Sequence, residues 1–429
     1  MQNQFESFLN QIVDKAVCDK IALAVSGGAD SMAMLYLTSK WAKKNSIKLL
    51  ILNVDHNLRP ESKQESELVE KHSKILGYQF HSLKWANDDL NLSSKIQERA
   101  REERYQLMTN QCLKLGCHTL MTAHHLDDLL ETYLMRKRKK SGALGLSHSS
   151  THFSNEVQII RPLLEFDKSA LLQYLRSNNI PWAEDSSNHS DKYERNRVRK
   201  ELALYHSDEK SKLISEMNQV NKRSKLLNEQ FIIAIAESLK INSMGFAALE
   251  LNKYKNYNSD VQIQLLNHAV TIISGKSTIP RFRSIEHLIA AINQDKPISK
   301  SLHGCILKTK NSELLIYREK SQINNVIAQP KNYLLWDDRF EIQNLEKQYS
   351  ISTLSHEDYI NIKKSLDLSN LIKTQPFSYK SILFTLPVIK KLEKVVAIPH
   401  ISYYDNKYSF NNLRIMFKPR FISRFTHFL

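Results

Sequence analysis

The stretch IALAVSGGADSMAMLYL, residues 21–37, decides the fold. An apolar run ends in Ser26-Gly27-Gly28-Ala29-Asp30-Ser31, and a helical pattern opens at once. Only nine glycines occur in 429 residues, and two are adjacent here. Without a Cβ, glycine lets backbone N–H groups close on an anion. The helix N-terminus that follows adds unpaired donors and a positive dipole end. Ser26 and Ser31 carry hydroxyls that can donate to phosphate, and Asp30 can hold a magnesium ion against it. The spacing matches neither Gly-x-x-x-x-Gly-Lys-Ser/Thr nor Gly-x-Gly-x-x-Gly.

Outward from this loop the same alternation continues. KIALAV (20–25), KLLILNV (48–54), YQFHSL (78–83), HTLMTA (118–123) and VQII (157–160) read as strands, with amphipathic helical stretches between them. Apolar strands alternating with helices imply a parallel sheet covered on both faces. Residues 1–206 are therefore read as an α/β nucleotide-binding domain. From 207 to 321 the pattern turns helical. Leu213, Met217, Val220, Leu227, Phe231 and Ile235 share one face of a helix over 208–240. Further helices are expected near 260–273 and 284–292, with a terminal hairpin at 305–307 and 314–317. Residues 322–429 read as a small basic α+β domain of strands and turns.

Composition bounds the function. Apolar residues make up 41% and charged residues 25%, as in ordinary globular chains. No apolar run reaches the ~18–20 residues that span a bilayer, and the N-terminal residues do not read as an export signal. The short apolar runs lead to the expectation of no membrane, and four cysteines are too few for a disulfide framework, which points to a reducing cytoplasm. Lys plus Arg is 61 against 45 Asp plus Glu, a net +16 that favours a polyanionic partner. Residues 370–429 hold ten of those cations and two acids, interleaved with eleven aromatic residues. Cations neutralise nucleic-acid backbones and aromatic rings stack on bases.

The loop SGGADS after an apolar strand resembles the pyrophosphate-binding loop of the N-type ATP pyrophosphatases, which adenylate a substrate and release pyrophosphate. Five further segments narrow the resemblance: VDHNLRPES (54–62), AREERY (100–105), TAHHLDDLLET (122–132), RPLLEFDKSALLQYL (161–175) and WAEDSSNHSDKYERNRVR (182–199). In this order they resemble the tRNA(Ile)-lysidine synthetases. The resemblance implies ATP and Mg2+ as cofactors, with Ser26, Gly27, Gly28, Ala29, Asp30 and Ser31 binding ATP and Asp30 as the magnesium ligand. It implies tRNA(Ile) with a CAU anticodon and free L-lysine as substrates, and leaves a homodimer open.

The remaining site residues follow from the same resemblance. Asp55, His56, Arg101, His124, Asp127 and Glu131 are expected to catalyse or to bind lysine or metal. Asp127 and Glu131 lie four apart, so their carboxylates share a helical face and call for a cation between them. His124 and His125 with Asp127 and Asp128 also have metal-like composition, although no Cys or His cluster completes a zinc shell. Arg195, Arg197, Arg199, Lys139 and Lys140 are expected to meet tRNA. Lys140 stands where the family usually has glycine, after the cations Arg136 to Lys139. Two rivals remain at this point: a tRNA thiolase, which usually carries paired cysteines, whereas Cys112 and Cys117 lie within a helical pattern and read as core packing, and a non-catalytic tRNA-binding protein.

Overall fold

The computed structural model describes residues 1–55, 61–84, 96–139, 142–154, 156–184, 194–323, 333–346, 348–363, 379–410 and 412–419. Two compact units divide the chain, essentially 1–224 and 225–427.

In the first unit the order is α1 (Gln2–Ile12), β1 (Lys20–Ala24), α2 (Ala29–Lys44), β2 (Lys48–Asp55), α3 (Glu61–Leu76), β3 (Gln79–Lys84) and α4 (Ile96–Lys114). There follow β4 (Thr119–Thr122), α5 (Leu126–Arg138), α6 (Ala143–Leu146), β5 (Thr151–Ser154), β6 (Val157–Ile160), α7 (Lys168–Ser177) and α8 (Glu194–Leu204). The strands form one sheet in the order β3-β2-β1-β4-β6-β5, parallel except for β5. All five strands expected from apolar runs are present. The unexpected one, β5, has the sequence THFS, whose phenylalanine is 52% exposed, so no apolar run announces it.

Strand period sorts the core into two layers. Ile21, Leu23 and Val25 pack with Phe5, Leu9, Met32, Leu35, Leu171 and Leu175 on one face. Ala22, Leu50 and Leu120 pack with Met108, Cys112 and Cys117 on the other. Successive strands run from β1 to β2 and β3 on one side, then from β4 to β6 on the other. The chain thus reverses its direction of travel between β1 and β4, and open α/β sheets bind ligands at such a switch. Ala24 pairs with both Leu52 and Thr122, so the carboxyl ends of β1 and β4 are level there.

The unit boundary falls within α9 (Ser207–Ser238). The second unit begins β7 (Leu239–Asn242), β8 (Phe246–Glu250), α10 (Leu251–Tyr254), α11 (Ser259–Ser274), α12 (Phe282–Asn293), β9 (Ser299–Leu302), β10 (Cys305–Lys310) and β11 (Glu313–Arg318). The three helices expected here are observed, but the expected hairpin is the β10–β11 part of a five-stranded antiparallel sheet, β7-β8-β11-β10-β9. Then come β12 (Tyr333–Trp336), β13 (Phe340–Gln343), β14 (Ser350–Ser352), α13 (His356–Ile362), β15 (Val388–Lys391), β16 (Lys394–Ile398), β17 (Tyr403–Tyr404) and β18 (Arg414–Phe417). They make sheets β12-β13-β18 and β14-β15-β16-β17.

Phe246, Leu315 and Tyr317 share one core with Trp336, Phe340, Ile351 and Val396, so the sequence blocks on either side of residue 321 are packed together. A buried charge cluster crosses the same junction. Asp337 accepts from Arg318 at 3.0 Å and from Arg339 at 2.7 Å, and Arg339 is fully buried.

At the end of β1, Gly27 adopts φ +96°, and a Cβ there would lie 3.1 Å from the Glu65 carbonyl oxygen. Gly28 has φ −69°, and its Cβ would meet nothing closer than 3.7 Å. Gly27→Ala should therefore lower stability by about 1–3 kcal/mol, while Gly28→Ala should change it by less than about 0.5 kcal/mol. Urea unfolding of the two variants checks this; equal losses would contradict the assignment.

Candidate active site

The loop is built around one hydroxyl. Ser31 Oγ accepts from the Ser26 and Gly27 amides, both at 3.2 Å, and donates to the Gly28 carbonyl at 2.9 Å. Asn53, buried at the end of β2, donates to the Val25 carbonyl at 2.9 Å and fixes the strand end just before the loop. The Ala183 amide donates to the Gly27 carbonyl at 3.0 Å. Backbone closure leaves Asp30 in the first turn of α2, 26% exposed.

Across the switch point, β4 ends at Thr122 and α5 opens after His125. Asp127 and Asp128 occupy the first turn, where the helix dipole favours negative charge. His125 is 5% exposed and stands among acids: its Nε2 is 3.6 Å from Asp30 and from Asp128, and its Nδ1 is 3.5 Å from Asp127. Burial alone would lower the imidazole pKa, but the three carboxylates outweigh it and the net shift is upward. The His125 ring in turn lowers the Asp127 pKa, helped by the Lys168 amide, which donates to Asp127 at 2.8 Å. Burial works to raise Asp128, yet His125 and Arg195 bring it below the usual carboxylate range.

Two cations from α8 complete the cluster. Leu130, Tyr133 and Leu134 of α5 pack with Val198 and Leu202 of α8 and with Leu213 and Met217 of α9. With Val198 and Leu202 inward, Arg195 and Arg199, also four apart, lie over Glu131. Arg195 donates at 2.6 Å to Glu131 and to Asp128, and Arg199 donates at 2.6 Å to the other Glu131 oxygen. Glu131 itself is 1% exposed. From α7, Lys168 donates to both oxygens of Asp30 at 2.7 and 2.8 Å.

The structure thus brings together Asp30, Asp127, Glu131, Arg195 and Arg199 from the sequence-derived set. The pair bridged by an arginine is Asp128 and Glu131, whereas Asp127 turns to His125 and the α7 N-terminus. His125 reaches the acids, while His124 Nδ1 lies 3.1 Å from Thr122 Oγ1. Arg197 is exposed, and Lys139, also exposed, pairs with Glu194 at 3.0 Å. His56 and Lys140 lie outside the described residues, as do the side chains of Asp55 and Arg101. Lys168 is the contributor that sequence reasoning passed over, and His125 and Asp128 were singled out only for their metal-like composition. The signal available for Lys168 was its place in the RPLLEFDKSALLQYL segment. Cys112 and Cys117 are buried in the core against Ala22 and Leu120, as packing residues are.

Residues 1–205 match the family model of the PP-loop domain, which makes this unit a PP-loop ATP-binding domain. Over its whole length the chain is 46% identical to a tRNA(Ile)-lysidine synthase of Rickettsia bellii (strain OSU 85-389), with all of both chains covered. The enzymes of the same description from Rickettsia akari and Rickettsia prowazekii are 45% and 44% identical, again with full coverage. This chain belongs to the tRNA(Ile)-lysidine synthase family. Among solved structures, the U34-tRNA thiolase NcsA from Methanococcus maripaludis aligns with a TM-score of 0.44 and 16% identity, covering 51% of this chain and 79% of that one.

The His125 environment has a pH signature. Its folded pKa is raised above 6.5, so its contribution to stability is complete below that value and is lost as pH rises through the folded pKa. Asp127 and Asp128 are depressed below 3.8, so theirs is present above that value and lost on acidification through their folded pKa values. The stability advantage of the native protein over His125→Gln should be largest at mildly acid pH and shrink towards pH 9. Thermal melts across that range check it, and an advantage that grows with pH would contradict the electrostatic assignment.

Proposed function

We propose that the chain activates the wobble cytidine of the CAU anticodon of tRNA(Ile) with ATP and then joins lysine to its 2-carbon. The activity class is that of its family: an ATP-dependent ligase with tRNA(Ile)-lysidine synthase activity, acting on tRNA(Ile) and lysine. In the first step the cytidine 2-oxygen attacks the α-phosphorus, and the bond to pyrophosphate breaks. In the second the neutral ε-amine of lysine attacks the 2-carbon, and AMP leaves with the oxygen. AMP is a far better leaving group than oxide, which is the reason to spend ATP. The protein contributes positioning and charge neutralisation, with no covalent enzyme intermediate needed.

The observation that carries this reading is the charge balance at the switch point. Asp30, Asp127, Asp128 and Glu131 face Lys168, Arg195 and Arg199, with His125 among them. That set is close to neutral by itself, so the polyanion ATP needs further cations. The ammonium groups of substrate lysine supply some. Magnesium fits as a nucleotide-borne ion, since it takes one or two carboxylates together with phosphates and water. Among the described residues no group of three or more His, Cys, Asp or Glu is arranged as a metal cage. Asp30 would hold the ion, which would neutralise charge on the phosphates.

Asp55, His56, Arg101, His124, Asp127 and Glu131 keep their proposed place around lysine, magnesium and the reacting atoms. Glu131 has a second proposed duty, the alignment of Arg195 and Arg199 at the edge where tRNA arrives. Arg197, Lys139 and Lys140 are proposed to extend that contact. Residues 1–206, 207–321 and 322–429 are proposed as catalytic, connecting and tRNA-gripping blocks. In the last, Lys394, Lys407, Arg414 and the rings of Tyr333 and Tyr404 are exposed, whereas Phe384 and Phe417 belong to or pack against the core, so those two phenylalanines are not free to stack on bases. A cytoplasmic setting fits the tRNA substrate and the free thiols. No helix among the described residues is long and apolar enough to cross a membrane. A homodimer is part of the proposal that size-exclusion chromatography tests.

Labelled ATP should give AMP and pyrophosphate, and only when tRNA is present. Nucleoside mass spectrometry after incubation with lysine should reveal lysidine. ADP as the main product would overturn the adenylation scheme.

A further inference from the structure

Three of the four cysteines gather at the amino ends of β1 and β4, the sheet edge opposite the charge cluster. Cys18 and Cys117 place their sulfurs 3.3 and 3.6 Å from one acceptor, the Lys20 carbonyl oxygen. Cys112 lies in the last turn of α4, and the Cys117 amide donates to its carbonyl at 2.9 Å. That turn folds both side chains into the core against Ala22 and Leu120. The Cys112 thiol donates to the Cys117 sulfur and lowers its pKa to about 7, although burial alone would raise it. The Thr119 and Ala22 amides and the Lys20 ammonium act in the same direction as Cys112. Cys112, as the donor, is pushed the other way. The cover is thin: Lys114, Gly116 and His118 are exposed, although Cys117 itself is 1% exposed.

We propose that Cys117 is a peroxide-reactive thiol and Cys112 its resolving partner, so that the pair is a site of reversible disulfide formation. Peroxide is the oxidant because it is small enough to pass a cover that excludes a peptide disulfide. In the first step the Cys117 thiolate attacks a peroxide oxygen. The O–O bond breaks, a sulfenic acid forms, and the departing hydroxide takes up the proton that the thiol had released. In the second step the Cys112 sulfur attacks the Cys117 sulfur, the S–O bond breaks, and the Cys112 proton leaves with the oxygen as water. Two thiols are oxidised to a disulfide, and one peroxide is reduced to two waters. A dithiol restores the pair by thiol–disulfide exchange. Cys18 only shares an acceptor with Cys117, whereas Cys112 bonds the sulfur itself, which makes Cys112 the resolving thiol. The pair also guards the core. Without a partner, Cys117 would go on to sulfinic acid, an anion that this apolar layer could not solvate.

The rival role is inert packing, and peptide mapping separates the two. Trypsin cuts after Lys15, Lys20, Arg104, Lys114 and Arg136, so Cys18, Cys112 and Cys117 fall on separate peptides. Full-length protein is treated with hydrogen peroxide, alkylated in denaturant and digested without reductant. The peptides 105–114 and 115–136 should appear linked, and dithiothreitol should part them. Cys117 should be consumed at least tenfold faster than Cys305, which is fully buried and whose pKa burial pushes up to about 12. Protection of Cys305 also reports that the fold persists during treatment. Cys18→Ser should leave the link intact. Cys112→Ser should replace it by a Cys117 that dimedone traps, and then by sulfinic acid, with a lower melting temperature than the peroxide-treated native protein. Should that variant fail to fold, Cys112→Ala is read by the same criteria, and the native protein still decides. No linked peptides together with a Cys117 no faster than Cys305, or a link from Cys18 to Cys117 instead, would overturn the proposal.

Discussion

Four carboxylates meet beside a loop shaped for phosphate, and their mutual repulsion is the constraint around which the first unit is arranged. Two like charges 4 Å apart repel by about 4 kcal/mol at an effective dielectric of 20, so such a cluster persists only if cations are built in with it. Lys168 answers Asp30, Arg195 spans Asp128 and Glu131, and Arg199 closes the second Glu131 oxygen. His125 sits in the middle with its proton held more firmly than usual. Each cation comes from an element other than that of its acid, so the cluster also reports whether α2, α5, α7 and α8 are docked.

The topology explains why these groups can meet at all. Parallel strands deliver their following helices with N-termini at one edge of the sheet, and α2, α5 and α7 all begin there. Acids in first turns are stabilised by the dipole, and the Lys168 amide at the start of α7 engages Asp127 directly. An edge rich in helix N-termini would bind anions indiscriminately. Acids placed among them offset that positive potential, and Lys168, Arg195 and Arg199 offset the acids in turn.

The second unit uses charge differently. Two arginines, Arg318 and Arg339, share Asp337 and spend their other donors on the carbonyls of Gly304, Gln322 and Thr385. A buried arginine is tolerated only when its donors are satisfied, and here they stitch β11, the β12–β13 turn and the residues before β15 together. Several aromatic rings that the sequence suggested for base stacking are instead employed in this core; Phe417 meets Phe340 edge-on at 5.3 Å. Composition reports that rings and cations are present. It does not report which of them the fold consumes.

Local chemistry was legible without the structure. Apolar runs announced five of the six strands of the first sheet, amphipathic period announced α9, α11 and α12, and SGGADS announced an anion-binding turn. Burial on a strand or helix face repeats within a few residues, so a linear reading captures it. The antiparallel β5 escaped because it is short and largely polar; the five-stranded sheet showed only as a hairpin because the helix read over 208–240 ran into the start of β7, β8 is a short apolar run that does not alternate, and β9 is largely polar. What only the tertiary structure decided is which charges meet: Lys168 with Asp30, Arg195 and Arg199 with Glu131, and His125 with three of the acids at once. The lysine and arginine partners lie 64 to 138 residues apart. Strand order and helix docking bring them together, and neither has a period that can be read along the chain.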